Sequence, residues 1–122
     1  MKLRIKGNSL RIRLTKTEVS KLAENGYLEE QTCFPNNRFV YALQNSDDAT
    51  ELSATFENNK VTIGVPAAFA KEWPANNVVG LEANITLPDA GSLYLLIEKD
   101  FVCLDDTQED QSDNYENPNK TG

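Results

Sequence analysis

Lys2-Leu3-Arg4-Ile5-Lys6-Gly7-Asn8-Ser9-Leu10-Arg11-Ile12-Arg13-Leu14-Thr15-Lys16-Thr17-Glu18 decides the fold class, because it alternates cation and aliphatic twice around a three-residue break. Alternation with a period of two is the signature of a strand with one face buried, and Gly7-Asn8-Ser9 has the chemistry of a hairpin turn. Two antiparallel strands follow, with Leu3, Ile5, Leu10, Ile12 and Leu14 on the core side and Lys2, Arg4, Lys6, Arg11 and Arg13 gathered on the other. The stretch then changes period. Thr15 with Glu18 three residues later is a capping box, Val19, Leu22 and Ala23 recur at helical spacing, and Gly26 offers a left-handed helix end.

Outward from this segment the same grammar repeats. Residues 27–34 and 39–44 predict two strands separated by Pro35-Asn36-Asn37, with Phe39, Tyr41 and Leu43 sharing a face. Leu52, Ala54 and Phe56 alternate, Asn58-Asn59 turns, and Val61, Ile63 and Val65 alternate back. Pro66 suits a first helical position, residues 67–73 favour helix, and Pro74 ends it, with Trp73 expected as a core anchor at the helix end. Residues 78–87 and 92–98 predict a last hairpin around Pro88-Asp89-Ala90-Gly91. The expectation is an α+β domain over residues 1–104, with about eight mainly antiparallel strands and two short helices. Its order suggests a ββαββ duplication with a spacing of about 50 residues, forming a barrel-like or two-layer sheet. Residues 105–122 form an acidic tail, for which disorder is the simpler account and docking on the domain, anchored by Tyr115 and Pro118 and facing the N-terminal cations, the alternative.

Composition bounds the chemistry. The 122 residues contain no histidine, which removes Ser-His-Asp and Cys-His nucleophile systems, histidine bases and Cys/His zinc sites together. Cys33 and Cys103 are expected as reduced, half-buried thiols rather than a disulfide framework, and the acids around Cys103 oppose thiolate formation. No run is apolar enough for a bilayer-spanning helix, and the N-terminal residues lack the apolar core of a secretory signal, so a cytoplasmic address is expected. For the same reason Asn84-Ile85-Thr86 and Asn119-Lys120-Thr121 are chance matches to glycosylation acceptors. The formal charge of −7 is segregated: residues 1–21 hold seven cations against Glu18, whereas residues 98–122 hold eight acids against Lys99 and Lys120. An acidic whole repels polyanions, and neither nucleic acid nor membrane is an expected partner.

Two clusters are candidate sites. Lys2, Arg4, Lys6, Arg11 and Arg13 are placed to converge several cationic groups on one sheet face, where arginine forks match phosphate or carboxylate; the competing interpretation is a solvated outer face with lysines guarding an edge. Asp105, Asp106, Glu109 and Asp110, with Asp113 nearby, offer carboxylates to a divalent cation, but no Asp-x-Asp-x-Asp-Gly loop is present and a solvated tail is the simpler account. No other cofactor is implied. The expected function is a non-enzymatic binding or protein-interaction module. The alternative is a small enzyme or carrier for a phosphorylated or carboxylated small molecule, and a third is a homo-oligomer meeting through sheet edges or the Trp73 region.

Leu3-Arg4-Ile5-Lys6-Gly7-Asn8-Ser9-Leu10-Arg11-Ile12-Arg13-Leu14-Thr15 and Leu96-Ile97-Glu98-Lys99-Asp100-Phe101-Val102-Cys103-Leu104, followed by an acidic segment ending in Asn117-Pro118, resemble an uncharacterised bacterial family of proteins of this size. The resemblance implies a bacterial, cytosolic, stand-alone domain and transfers no activity. Leu10-Arg11-Ile12-Arg13 is also similar to the inward-pointing cation pattern of the triphosphate-tunnel class of eight-stranded barrels. The Glu-x-Glu-x-Lys signature of that class is absent, Lys2-Leu3-Arg4-Ile5-Lys6 standing in its place.

Overall fold

The computed structural model describes residues 1–89, 91–101 and 113–116. The hairpin expected at the N-terminus is β1 (Lys2–Lys6) and β2 (Ser9–Leu14), joined across a two-residue turn with Lys6 opposite Ser9 and Gly7 in the left-handed region. Helix α1 (Lys16–Asn25) begins at the capping box: Thr15 Oγ1 accepts from the Glu18 amide and Glu18 accepts from the Thr15 amide. It ends where Gly26, at φ 74°, donates its N–H to the Leu22 carbonyl. β3 (Tyr27–Cys33), β4 (Arg38–Ser46), β5 (Ser53–Glu57) and β6 (Lys60–Pro66) follow. Pro66 closes β6 and caps α2 (Ala67–Glu72) rather than occupying its first turn, and a single 3-10 turn over Trp73–Ala75 extends that helix. β7 (Gly80–Thr86) and β8 (Ser92–Lys99) complete the chain of strands.

These eight strands form two four-stranded sheets, β1-β2-β8-β7 (sheet A) and β3-β4-β6-β5 (sheet B). One expectation is corrected: neither sheet closes into a barrel. The pairings are mainly antiparallel as expected, four of six, and each sheet is mixed only because its central pair, β2 with β8 or β4 with β6, is parallel. Parallel neighbours need a connection that crosses from one end of the sheet to the other, and here intervening strands and helices supply it.

The order strand, strand, helix, strand, strand occurs twice, and the pairing repeats with it. Exchanging β1, β2, β3 and β4 with β5, β6, β7 and β8 converts the order of sheet A into that of sheet B, read from its β5 edge. The register agrees residue by residue: Ile12 lies opposite Ile97 and Ile63 opposite Leu43, and all four are fully buried. Tyr94 N–H donates to the Asn8 carbonyl as Val40 N–H donates to Asn59. The turn that matches Gly7-Asn8 is Asn58-Asn59, where both asparagines take positive φ, as a type I′ hairpin requires.

One core joins the inner faces of both sheets to the helices. Ile12 and Leu14 of β2, Leu95 and Ile97 of β8, Leu43 of β4 and Val61, Ile63 and Val65 of β6 meet Val19 and Leu22 of α1 and Ala70 and Trp73. The expected inward set of the first hairpin therefore holds for Leu3, Leu10, Ile12 and Leu14, while Ile5 at the hairpin end is 57% exposed; its counterpart Phe56 is 66% exposed. Trp73 is the buried anchor expected, its indole N–H donating to the Val78 carbonyl at 2.8 Å and its ring stacked at a tilt on Phe69. Fully burying an aromatic of this size contributes about 3 kcal/mol. Cys33 is free but exposed rather than half-buried, because it ends the edge strand β3. Cys103 lies outside the described residues.

Candidate functional site

Strand alternation carries the five cations named in the sequence to one surface. Lys2, Arg4 and Lys6 of β1 and Arg11 and Arg13 of β2 point away from the core, and the register sets Arg4 opposite Arg11 and Lys2 opposite Arg13. Like charges directly opposite each other on a sheet are unfavourable by a few tenths of a kcal/mol or more. The third strand, β8, relieves part of this. Glu98 sits opposite Arg13, and its Oε1 accepts from Arg11 Nε at 2.7 Å, Arg11 Nη2 at 2.6 Å and Arg13 Nε at 2.8 Å. Lys2 Nζ lies 3.4 Å from the buried Asp100 carboxylate. Arg4 and Lys6 have no carboxylate partner among the described residues.

Arg4, Lys6, Ser9, Arg11, Tyr94 and Leu96 line a shallow, open groove of about 410 Å³ on this face. Its far wall is fixed by Tyr94, whose hydroxyl donates to Glu82 of β7; that bond to a carboxylate pushes the Tyr94 hydroxyl above its ordinary pKa. The cations thus face outward from an open sheet, not into a tunnel, and the likeness to triphosphate-tunnel barrels ends there. Sequence reasoning missed Glu98 as the residue that binds Arg11 and Arg13 together. The signal was available, since Tyr94, Leu96 and Glu98 share parity on the strand that ends beside Arg13.

The acidic residues divide differently. Asp105, Asp106, Glu109 and Asp110 lie outside the described residues, and among those described no cluster of three or more His, Cys, Asp or Glu side chains could hold a metal ion. Asp113 does not approach the cation row. Its backbone carbonyl accepts from the Lys16 amide at 3.0 Å and its Oδ1 accepts from the Thr17 hydroxyl at 3.0 Å, at the first turn of α1. Hydrogen bonds from Thr15 and Thr17 hold the Asp113 carboxyl below its ordinary range, and a helix N-terminus favours negative charge. Tyr115 completes this docking: its N–H donates to the Asp100 carbonyl, it bridges to Phe101 in parallel, and the two rings meet edge to face at 5.9 Å.

A second cluster, not anticipated from the sequence, surrounds the N-terminal ammonium. It pairs with Glu18 and, at 3.0 Å, with Glu30, whose other oxygen accepts from the Tyr41 hydroxyl at 2.8 Å. Burial first, and then the Glu30 carboxylate, push Tyr41 up to about 12.

Among the described residues no helix is long and apolar enough to cross a membrane. No curated protein and no solved structure matches the chain. A family model does match, over residues 1–119, nearly the whole sequence that builds both sheets, and the chain belongs to that family, the family of unknown function DUF7009.

Proposed function

We propose that the protein is a non-enzymatic binding module whose outer face of sheet A receives an acidic, extended segment of a partner protein. The observation that carries this reading is the direct opposition of Arg4 to Arg11 and Lys2 to Arg13, with Arg4 and Lys6 left without an acid among the described residues. Such an arrangement costs stability in the free protein, and a carboxylate-bearing ligand recovers it. Arginine forks fixed by Glu98 are already oriented, so less rotamer freedom is lost on binding. The groove is open and shallow, which suits a chain laid across a sheet better than a small molecule enclosed on most sides. β1 is an edge strand, so its outward backbone groups add main-chain hydrogen bonding to charge complementarity.

The rival reading, a carrier for a phosphorylated or carboxylated small molecule, uses the same cations and differs in what fills the groove. A fluorescein-labelled twelve-residue polyglutamate peptide distinguishes the two by anisotropy. Binding that weakens steeply between low and moderate salt, and at least tenfold in the Arg4→Ala/Lys6→Ala double variant, is the expected result. Citrate or inorganic phosphate binding in place of the peptide supports the carrier, and peptide binding indifferent to the double variant overturns the proposed face.

A further inference from the structure

The twofold correspondence of the chain singles out one buried charge, at a place where the other half carries a neutral side chain. Asn45 and Lys99 occupy the same place in the two halves. Asn45 lies opposite Val65 and Lys99 opposite Leu14, each on the central strand of its sheet just after the fully buried pairs. Asn45 N–H donates to the Gly26 carbonyl at 2.8 Å, and Lys99 N–H to the Val79 carbonyl at 2.9 Å. Both side chains then reach the carboxyl end of the preceding helical segment: Asn45 Nδ2 donates to Leu22 O at 3.0 Å, and Lys99 Nζ to Asn76 O at 2.7 Å. In the first half a neutral amide closes the helix end. In the second, an ammonium does so from a residue only 4% exposed.

That ammonium has no counter-ion among the described residues. Burial lowers its pKa, and its remaining stabilisation comes from the rings of Tyr115 and Trp73, whose centroids lie 4.8 and 6.0 Å away. The adjacent acid, Asp100, lies next in sequence and is drawn to Lys2. Lys99 lines a cleft of about 450 Å³, with Lys16, Asn77, Val79, Phe101 and Tyr115 among its walls and the exposed Glu116 at its margin. Lys16 Nζ lies 5.7 Å from the Tyr115 ring centroid, so both lysines flank one aromatic wall. Among the described residues that line the cleft, Lys16, Lys99 and Glu116 sum to one positive charge in excess.

We propose that this cleft is a binding site for a small organic monocarboxylate, distinct from the outer face of sheet A: the carboxylate meets Lys99, and its apolar body lies against Tyr115, Phe101 and Val79. A buried, uncompensated ammonium is unfavourable until an anion reaches it, and after donating to Asn76 the amine retains two N–H groups for that anion. A single excess charge matches a monoanion, and the aromatic and aliphatic walls match an apolar body.

Benzoate, benzyl alcohol and phenyl phosphate are the probes, titrated into the full chain by NMR with thermal unfolding in parallel. Benzoate saturably shifts the amides of Val79, Phe101 and Tyr115, and benzyl alcohol binds at least tenfold more weakly; phenyl phosphate binding more tightly than benzoate would replace the carboxylate assignment and overturn it. Lys99→Met is expected to melt at or above the parent temperature and to bind benzoate at least tenfold more weakly. Unchanged benzoate binding in Lys99→Met, or a large loss of melting temperature in a variant that still folds, shows instead that the amine is structural. If Lys99→Met does not fold, the Nζ resonance of Lys99 in the parent chain decides: benzoate raises the pKa of this amine, and an unmoved titration curve sinks the site.

Discussion

The two sheets share one set of inner residues by type and part company on their outer faces. On sheet B the outward cations Arg38 and Lys60 are balanced by Glu29 and Glu57, and Lys60 is held by the Tyr27 hydroxyl and, at 3.3 Å, by Glu29. On sheet A five outward cations face only Glu82 and Glu98 from within the sheet. Identical pairing therefore supports a neutral surface on one side and a cationic one on the other. Inward aliphatics at a period of two specify the scaffold, and the intervening positions are left free to differ, which is where binding chemistry belongs.

The helices differ as well, and in a compensating way. Val19 and Leu22 of α1 correspond to Ala70 and Trp73, so two middle-sized side chains on one side of the core answer a small and a very large one on the other. α1 also has a complete capping box, whereas α2 begins at Pro66 with no side-chain cap. The second helix thus depends on Trp73 more than the first depends on Leu22. Trp73→Ala should show the largest effect, a loss of about 3–5 kcal/mol in urea unfolding, against about 2–5 for Leu22→Ala. The double variant Ala70→Val/Trp73→Leu copies the first half onto the second and should recover part of the Trp73→Ala loss; if it is no better than Trp73→Ala, the correspondence is one of path and not of packing.

A smaller effect separates the β7–β8 pair of sheet A from the β5–β6 pair of sheet B. A Cβ on Gly80 would stand 2.1 Å from the Ile97 carbonyl oxygen and 2.9 Å from Glu98 Cα, whereas on Gly64 it would meet chiefly the Ser53 hydroxyl. Backbone cannot yield as a side chain can. Gly80→Ala should cost about 1–3 kcal/mol and Gly64→Ala less, because Ser53 can rotate away. Equal losses in the two variants would show that β7 and β8 adjust as freely as β5 and β6.

The smallest effect is a pH dependence at Tyr41 of sheet B. The Tyr41 hydroxyl is held at about 12 against an ordinary 10.0, so its contribution is complete below pH 10 and falls away as pH rises from there through 12. Tyr41→Phe should flatten that part of the alkaline stability curve. An unchanged curve would mean that the bonds from Tyr41 to Glu30 and to the Met1 carbonyl are not maintained in solution.

Much of this organisation was legible before the structure. Alternation at Leu10, Ile12 and Leu14, the Thr15 and Glu18 cap, Gly26 and the two prolines around α2 place the elements, because each rests on local chemistry. The parallel centre of each sheet was not legible, since Ile12 would alternate identically beside a parallel or an antiparallel neighbour, and Ile97 is 85 positions away. The outward cation row was visible as a pattern, but its clamp at Glu98 depends on that same distant pairing. Lys99 was missed at a strand boundary: ending the last strand at Glu98 leaves it outside, whereas continuing by one residue puts it in line with Leu95 and Ile97, facing inward. Cys33 and Ile5 were misplaced because strand ends stop being covered before their alternation stops.

The pairing of β2 with β8 also has a kinetic consequence. Sheet A draws its four strands from the first and last hairpins of the chain, so its centre forms only after some eighty residues have been drawn into a loop. Loop closure on that scale is entropically demanding and places such a protein among slow folders, with sheet B, whose hairpins are neighbours in sequence, able to assemble first. During that interval the inner edges of β2 and β8 are open to strands of other chains, which makes dilute refolding the condition under which the native pairing of β2 with β8 competes best with aggregation.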